Sequence, residues 1–262
     1  MHQYLFFIGN FPIRLYGIFF SLGIISGCIT AYFLLKKDRR GWESHMFDLG
    51  LVIAFAGIVG GRLWDVFFFD WEYYHNHLLE IPYIWQGGMA IQGGIIFACI
   101  AAYFYLKKHQ IPVLPFADTV TPGIILGQAI GRIANFMNGD AFGHPTGQDF
   151  GLLYPDTTLA YHTYGAQPLW PAEVWECQGD LLIFVLLLWY GCKTRAEGTT
   201  FCLYIMFYSL LRFFLENYRG DYGTLALGLK SAQLTSLAAF DGAFILFLYF
   251  HFKHKSKSGI SE

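Results

Sequence analysis

Apolar runs of roughly twenty residues, separated by short charged stretches, set the pattern of this chain. A run of that length crosses the hydrocarbon of a bilayer as a helix. Seven can be drawn: Phe11 to Leu35, Met46 to Phe69, Gly88 to Leu106, Leu114 to Met137, Asp180 to Cys192, Thr200 to Asn217 and Ala232 to Phe252. The fifth reaches crossing length only if it begins near Val174. The fourth is diluted by Asp118, Thr119, Thr121, Pro122, Gln128 and Arg132. A polar, proline-bearing helix survives at membrane depth only where protein or water satisfies it, so this span is expected inside the bundle. Residues 138–179, rich in Gly, Pro, Tyr and acids, are too long for a plain connector and mark a segment with a function of its own.

Composition sharpens the class. Of 262 residues, 55% are hydrophobic and 14% charged, against about 25% charged in soluble domains. The expected fold is an all-α membrane protein, a single integral-membrane domain over residues 1–262 built as a bundle of about seven transmembrane helices. A net charge of -2 offers nothing to a nucleic acid. Lys36, Lys37, Arg39 and Arg40 follow the first span, Lys107 and Lys108 the third, Lys193 and Arg195 the fifth, and Lys253, Lys255 and Lys257 the seventh, whereas 70–87 and 138–179 hold no Lys or Arg. The positive-inside rule then puts the N-terminus outside and the C-terminus in the cytoplasm. No basic stretch precedes the first span, so no cleaved signal peptide is expected. The five cysteines show no CxxC pairing and read as buried structural thiols. No strong internal repeat is found, which weighs against an inverted-repeat transporter. Trp64, Trp71, Trp85, Trp170 and Trp175 read as an aromatic belt near the outer boundary.

Charges inside the spans carry the candidate chemistry. Arg62, Arg132 and Arg212 lie in apolar stretches, where a charge is costly and normally faces protein or a water-filled cavity. With the N-terminus outside, all three fall in the outer thirds of their helices, and Tyr16 and Gln92 near the outer ends of theirs. Five polar residues from five helices at the depth of the headgroups suggest a built anion site. Gln128, Arg132 and Asn135 share one helical face, as do Arg212, Glu216 and Arg219, and Glu216 can hold either arginine. A salt-bridged helix end with snorkelling side chains is the plainer alternative for that second trio. A planar guanidinium suits phosphate, and a lipid phosphate is the anion found at this depth. Gly57 with Gly61, and Gly123, Gly127 and Gly131, have the spacing of close helix packing. His75 and His77 form an HxH without an accompanying carboxylate–cysteine cluster, so no metal site is expected.

These residues fall in a pattern that resembles a known family. GRIANFMNGDAFG at 131–143 closely resembles the signature of bacterial prolipoprotein diacylglyceryl transferases, G-R-x-G-N-F-x-N-x-E-x-x-G. IRLYG at 13–17, GGRLWDVFF at 60–68, GGMAIQGG at 87–94, LWPAEVWE at 169–176 and RFFLENYR at 212–219 resemble the family's other motifs in order. The resemblance implies transfer of the diacylglyceryl group of phosphatidylglycerol to the lipobox cysteine of a prolipoprotein signal peptide. The reaction would take place at the outer face of the bacterial plasma membrane, among membrane lipids and without a cofactor. It further implies that Arg132 and Asn135, with Asp140 and Gly143, bind the headgroup, Gly143 by allowing a tight turn. Arg212 would stabilise charge on the leaving phosphate, Glu216 would orient it, and Tyr16 would line the pocket. The histidine of the family's G-G-M-S-F-H-G-G is Gln92 here, and an amide takes no proton near neutral pH. Asp140, Ala134, Trp170 and Glu173 also depart from the pattern. His144, His162 and Glu173 are the candidate substitute bases. A paralogue with another acceptor and a non-catalytic phospholipid-binding protein remain the alternative readings.

Overall fold

The computed structural model describes residues 3–9, 11–191, 196–220, 224–226 and 228–258. Cys192, Lys193 and Arg195, the side chain of Lys257 and the chain end at 259–262 lie outside the described residues. The long helices are α1 (Leu15–Asp38), α2 (Met46–Trp64), α3 (Ile91–Lys108), α4 (Val113–Asn138), α5 (Ala172–Gly191), α6 (Thr199–Leu215) and α7 (Ser231–Ser258). Among the described residues five stretches are long and apolar enough to cross a membrane: α1, Trp42–Phe69 around α2, α4, Thr199–Tyr218 around α6, and Ser231–Lys255 within α7. α3 ends on Lys107 and Lys108, and α5 carries Glu173, Glu176 and Asp180 in its first half. Half of the apolar window of α4 is buried, a larger share than in the other four, as its polar content required.

Two short antiparallel hairpins interrupt the all-helical expectation: β1 (Tyr4–Ile8) with β2 (Phe11–Arg14), and β3 (Thr224–Ala226) with β4 (Leu229–Lys230). The first moves the start of the first span from Phe11 to Leu15. Proline disfavours helix in the residue before it and donates no N–H, so Phe11-Pro12 reads as an edge strand, and Gly9 turns the hairpin at φ +60°. At the other end, α7 continues as helix past Phe252 through Lys253 and Lys255.

Residues 1–34 and 117–262 form one compact unit, and residues 35–116 a second. In the first, α1 meets α4 backbone to backbone. A Cβ at Gly23 would lie 2.7 Å from the Gly127 carbonyl, and one at Gly27 2.7 Å from that of Gly123. Gly131, the third residue of the predicted stripe, has nothing within 4 Å. Ile125 of α4 packs with Ile183 and Leu187 of α5, and residues of α6 from Leu203 to Leu211 close over them. Asp118 of α4 accepts the backbone N–H of Gly198 at 2.6 Å and of Phe201 at 2.8 Å, so it caps the start of α6 from a distant helix. The long segment after α4 has its own small core of Phe142, Tyr154, Ala160 and Leu169.

In the second unit α2 packs on α3. The tight contact is at Gly60, whose Cβ would lie 2.6 Å from the Gly93 carbonyl, rather than at Gly57, which has 3.7 Å of room. Arg62 is buried, and its guanidinium donates to the carbonyls of Ile81 at 2.7 Å, Gly87 at 2.7 Å, Gly88 at 3.0 Å and Glu80 at 3.1 Å. That corrects the reading of Arg62 as part of an anion site. Its fork is held by the backbone of the loop it fastens, with the Asp65 carboxylate 3.9 Å away. His75 and His77 bond back to the carbonyls of Trp71 and Tyr73, each one turn earlier. Cys99 is exposed on α3, not buried as expected.

The glycine contact is testable. Gly23→Val should cost about 1–3 kcal/mol by overpacking, read as a lower thermal-unfolding midpoint in detergent. Gly131→Ala should be neutral or slightly stabilising, since alanine is the better helix former. Equal effects from the two would contradict the α1–α4 contact.

Candidate active site

Within the first unit α4, α5 and α6 turn their polar residues toward one another. Glu176 of α5 is fully buried and is the point on which they meet. Its carboxylate pairs with Arg132 Nη2 at 2.7 Å, Arg212 Nη1 at 3.3 Å and Arg219 Nη1 at 3.6 Å. The Tyr208 hydroxyl donates to it at 3.1 Å. Arg212 Nη2 reaches Glu216 at 2.6 Å, one turn along the same helix. Arg219, which Glu216 is equally able to hold by spacing, pairs with Glu176. Buried charge is tolerated when paired, so each of these groups depends on the others. Three guanidinium groups share two carboxylates here.

Lys230 closes the end of α6. Its Nζ donates to the carbonyls of Arg219 at 2.6 Å and Glu216 at 2.9 Å, and lies 3.9 Å from the Glu216 carboxylate. At the end of α4, Arg132 Nη1 donates to Asn135 Oδ1 at 3.4 Å, while the Asn135 amide donates to Asp140 at 2.8 Å. Asn138 donates to the other Asp140 oxygen at 2.9 Å. Asp140 thus fixes two amides and through them the rim of the arginine centre. Tyr16, half-buried in the first turn of α1, lies within electrostatic reach of Asp140 and Arg132. Nearby along α1 an apolar groove of about 770 Å³ is floored by Ile13, Gly17, Ile18, Leu22 and Ile25, with Arg14 at its end.

Gly143 does not make the tight turn expected of it. The turn belongs to Gly139 at φ +73° and Ala141 at φ +60°. Gly143 pairs instead with Arg219 in an isolated bridge, where a Cβ would come within 2.7 Å of the Trp170 side chain. It is glycine because strands 142–144 and 218–220 pass under Trp170, with His144 N–H bonding Tyr218 and Gly220 N–H bonding Phe142. Gln92 belongs to the second unit, exposed on the first turn of α3. His162 is exposed, and His144 bonds the adjacent Pro145 carbonyl through Nδ1 at 2.9 Å.

Glu173 is fully buried at the start of α5. The Tyr154 hydroxyl donates to its Oε1, and Oε2 has no hydrogen-bond partner. Burial pushes the Glu173 carboxyl up to about 7, against the opposing pull of the Tyr154 hydrogen bond and Arg219. Burial and the adjacent carboxylate likewise raise the Tyr154 phenol.

Sequence reasoning missed Glu176, Tyr208 and Lys230. The signal for Glu176 was present: Glu173, Glu176 and Asp180 stand at i, i+3 and i+7, one acidic face on an otherwise apolar helix. Both Asp180 oxygens are buried without a hydrogen-bond partner.

Apolar helices of crossing length around a buried arginine–carboxylate centre define a multi-pass helical membrane protein. The chain belongs to the prolipoprotein diacylglyceryl transferase family, whose model matches residues 3–249. It is similar to the phosphatidylglycerol–prolipoprotein diacylglyceryl transferase of Clostridium botulinum strain Langeland, at 35% identity over 90% of this chain and 92% of that one. The enzymes of the same name from Staphylococcus saprophyticus and Geobacillus kaustophilus are each 36% identical over 88% of this chain, covering 82% and 85% of theirs.

The dependence of the arginines on Glu176 gives a direct expectation. Glu176→Ala should cost about 3–5 kcal/mol, the usual result of stripping a buried charge of its partner. Tyr208→Phe should cost about 1 kcal/mol, one hydrogen bond. If thermal unfolding ranks the two variants equal, Glu176 is not the centre of the cluster.

Proposed function

We propose that this protein transfers the diacylglyceryl group of phosphatidylglycerol to the lipobox cysteine of a prolipoprotein signal peptide. The observation that carries the reading is the arginine trio gathered on Glu176, in a chain of this family. In the reaction the thiol sulfur bonds to the terminal CH₂ of the diacylglyceryl group. The bond from that carbon to the phosphate oxygen breaks, its electron pair stays on the phosphate, and glycerol phosphate leaves. The thiol's proton is lost to a base. Negative charge grows on the phosphate, so the chemistry needs donors fixed in advance around it. Arg132 has a buried Nε–H without a hydrogen-bond partner, and with Asn135 it faces the headgroup. Arg212, oriented by Glu216, meets the charge on the leaving oxygen. Asp140 and Gly143 hold the rim, Tyr16 lines the entrance, and the groove along α1 takes acyl chain.

In the membrane we read seven spans, with α3 and α5, the latter from Val174, joining the five apolar stretches. The N-terminus lies outside, the C-terminus in the cytoplasm, and the site opens to the outer leaflet of the bacterial plasma membrane. The charge asymmetry of the loops supports this orientation. No cofactor is needed.

Purified protein with phosphatidylglycerol vesicles and a lipobox peptide should add the mass of one diacylglyceryl group to the peptide. Arg132→Lys should lose about 1.5–3 kcal/mol of transition-state stabilisation, the worth of a hydrogen bond to a charged group, because a point charge replaces a planar fork. Arg132→Ala should lose more. Turnover and lipid binding that both survive Arg132→Ala would remove the anion site from the mechanism. For topology, Asn76→Cys and Phe150→Cys, in a background without native cysteines, should label with an impermeant thiol reagent on intact spheroplasts, while Asp38→Cys should not. The opposite pattern inverts the proposed orientation.

A further inference from the structure

Transfer to a thiol requires that its proton go somewhere, and the acids of this site are not equal candidates to receive it. Glu176 and Glu216 are committed to arginine ion pairs, and Asp140 to the amides of Asn135 and Asn138. Asp180, whose two oxygens likewise lack a hydrogen-bond partner, lies further along α5, within electrostatic reach of Glu176, Arg132 and Arg212. Glu173 stands at the start of α5, before Glu176, whereas Asp180 follows it. Among the described residues Glu173 makes no ion pair, one of its oxygens has no hydrogen-bond partner, and it stands one turn from Glu176 on the same helix face. A buried acceptor left without a donor costs stability and calls for an explanation. A donor arriving with the substrate supplies one.

Resting on the transferase reading, we infer that Glu173 is the proton acceptor for the lipobox thiol. Oε2 takes the S–H proton as sulfur attacks the diacylglyceryl carbon and the carbon–oxygen bond to phosphate breaks. Glu173 then returns the proton to water once glycerol phosphate has left. The arginine centre one turn along holds the leaving phosphate, so base and anion clamp are fixed to each other by a single helix.

The groups facing Glu173 come from three segments: Tyr154 from the segment after α4, Arg219 from the end of α6, and Asp140 from the end of α4. Tyr154 and Arg219 favour its carboxylate, and Asp140 opposes it. Its place in the first turn of α5 adds the favourable end of the helix dipole. Glu173 is fully buried, and Tyr154, which donates to it, belongs to the small core of the segment after α4.

The test is a pH–rate profile on the full-length protein with phosphatidylglycerol vesicles and a lipobox peptide. Glu173→Gln should lower kcat about 10²-fold or more near neutral pH with KM for the lipid unchanged. The deficit should shrink as pH passes about 8.5, where a thiol ionises unaided. Tyr154→Phe should stay active and move the acid limb of the profile to higher pH, because the lost phenol favoured the ionised carboxylate. Wild-type turnover by Glu173→Gln at neutral pH, or a deficit equal at every pH, would overturn the assignment. If Glu173→Gln fails to fold, Tyr154→Phe decides: an unmoved acid limb overturns it. A wild-type protein without transfer at any pH would sink the transferase reading itself, an outcome separable from either.

Discussion

Everything in the first unit depends on a single constraint: a guanidinium cannot lie in an apolar bundle without an anion close by. Glu176 answers it for three arginines at once. Because Arg132 comes from α4, Arg212 from α6 and Arg219 from just beyond α6, the carboxylate on α5 fixes three segments to one point. Apolar packing at Ile125, Ile183 and Leu187 has no comparable directionality. Ion pairing sets the register of the helices and packing fills the space around it.

The same constraint explains why Arg62 and Arg132, similar in sequence context, differ in role. Arg62 satisfies its donors on backbone carbonyls of the loop that follows, so its charge serves structure. Arg132 pairs with a side chain and keeps one buried donor without a partner. A guanidinium with a donor to spare next to a shared carboxylate can exchange partners when another anion arrives. One bound by four carbonyls cannot do so without releasing a loop.

Much of this was legible from residue spacing. The apolar runs located most of the helices to within a few residues, though α5 starts at Ala172 rather than Asp180, the dilution of the fourth run foretold its burial, and Arg132 with Asn135 and Arg212 with Glu216 were readable as helical neighbours. What escaped was long-range. Asp118 reads as an impurity in a span until α6 is seen to start on it. Gly143 reads as a turn until Trp170 is found above it. Periodicity reports which residues share a face, but not which other face lies opposite. For the same reason the tight contact of α2 fell at Gly60 and not at Gly57. The first hairpin was hidden differently, because an apolar strand beside an apolar helix has no change of hydropathy to mark the border.

Lys230 carries a consequence for how the protein is made. The carbonyls that end α6 are satisfied by a side chain that follows Glu216 by 14 residues, at the threshold of α7. A nascent chain that has completed α6 therefore holds its arginines beside an open helix end, and the closing group arrives only with the start of the last helix. The order of synthesis therefore leaves the closing of this turn until the last helix begins.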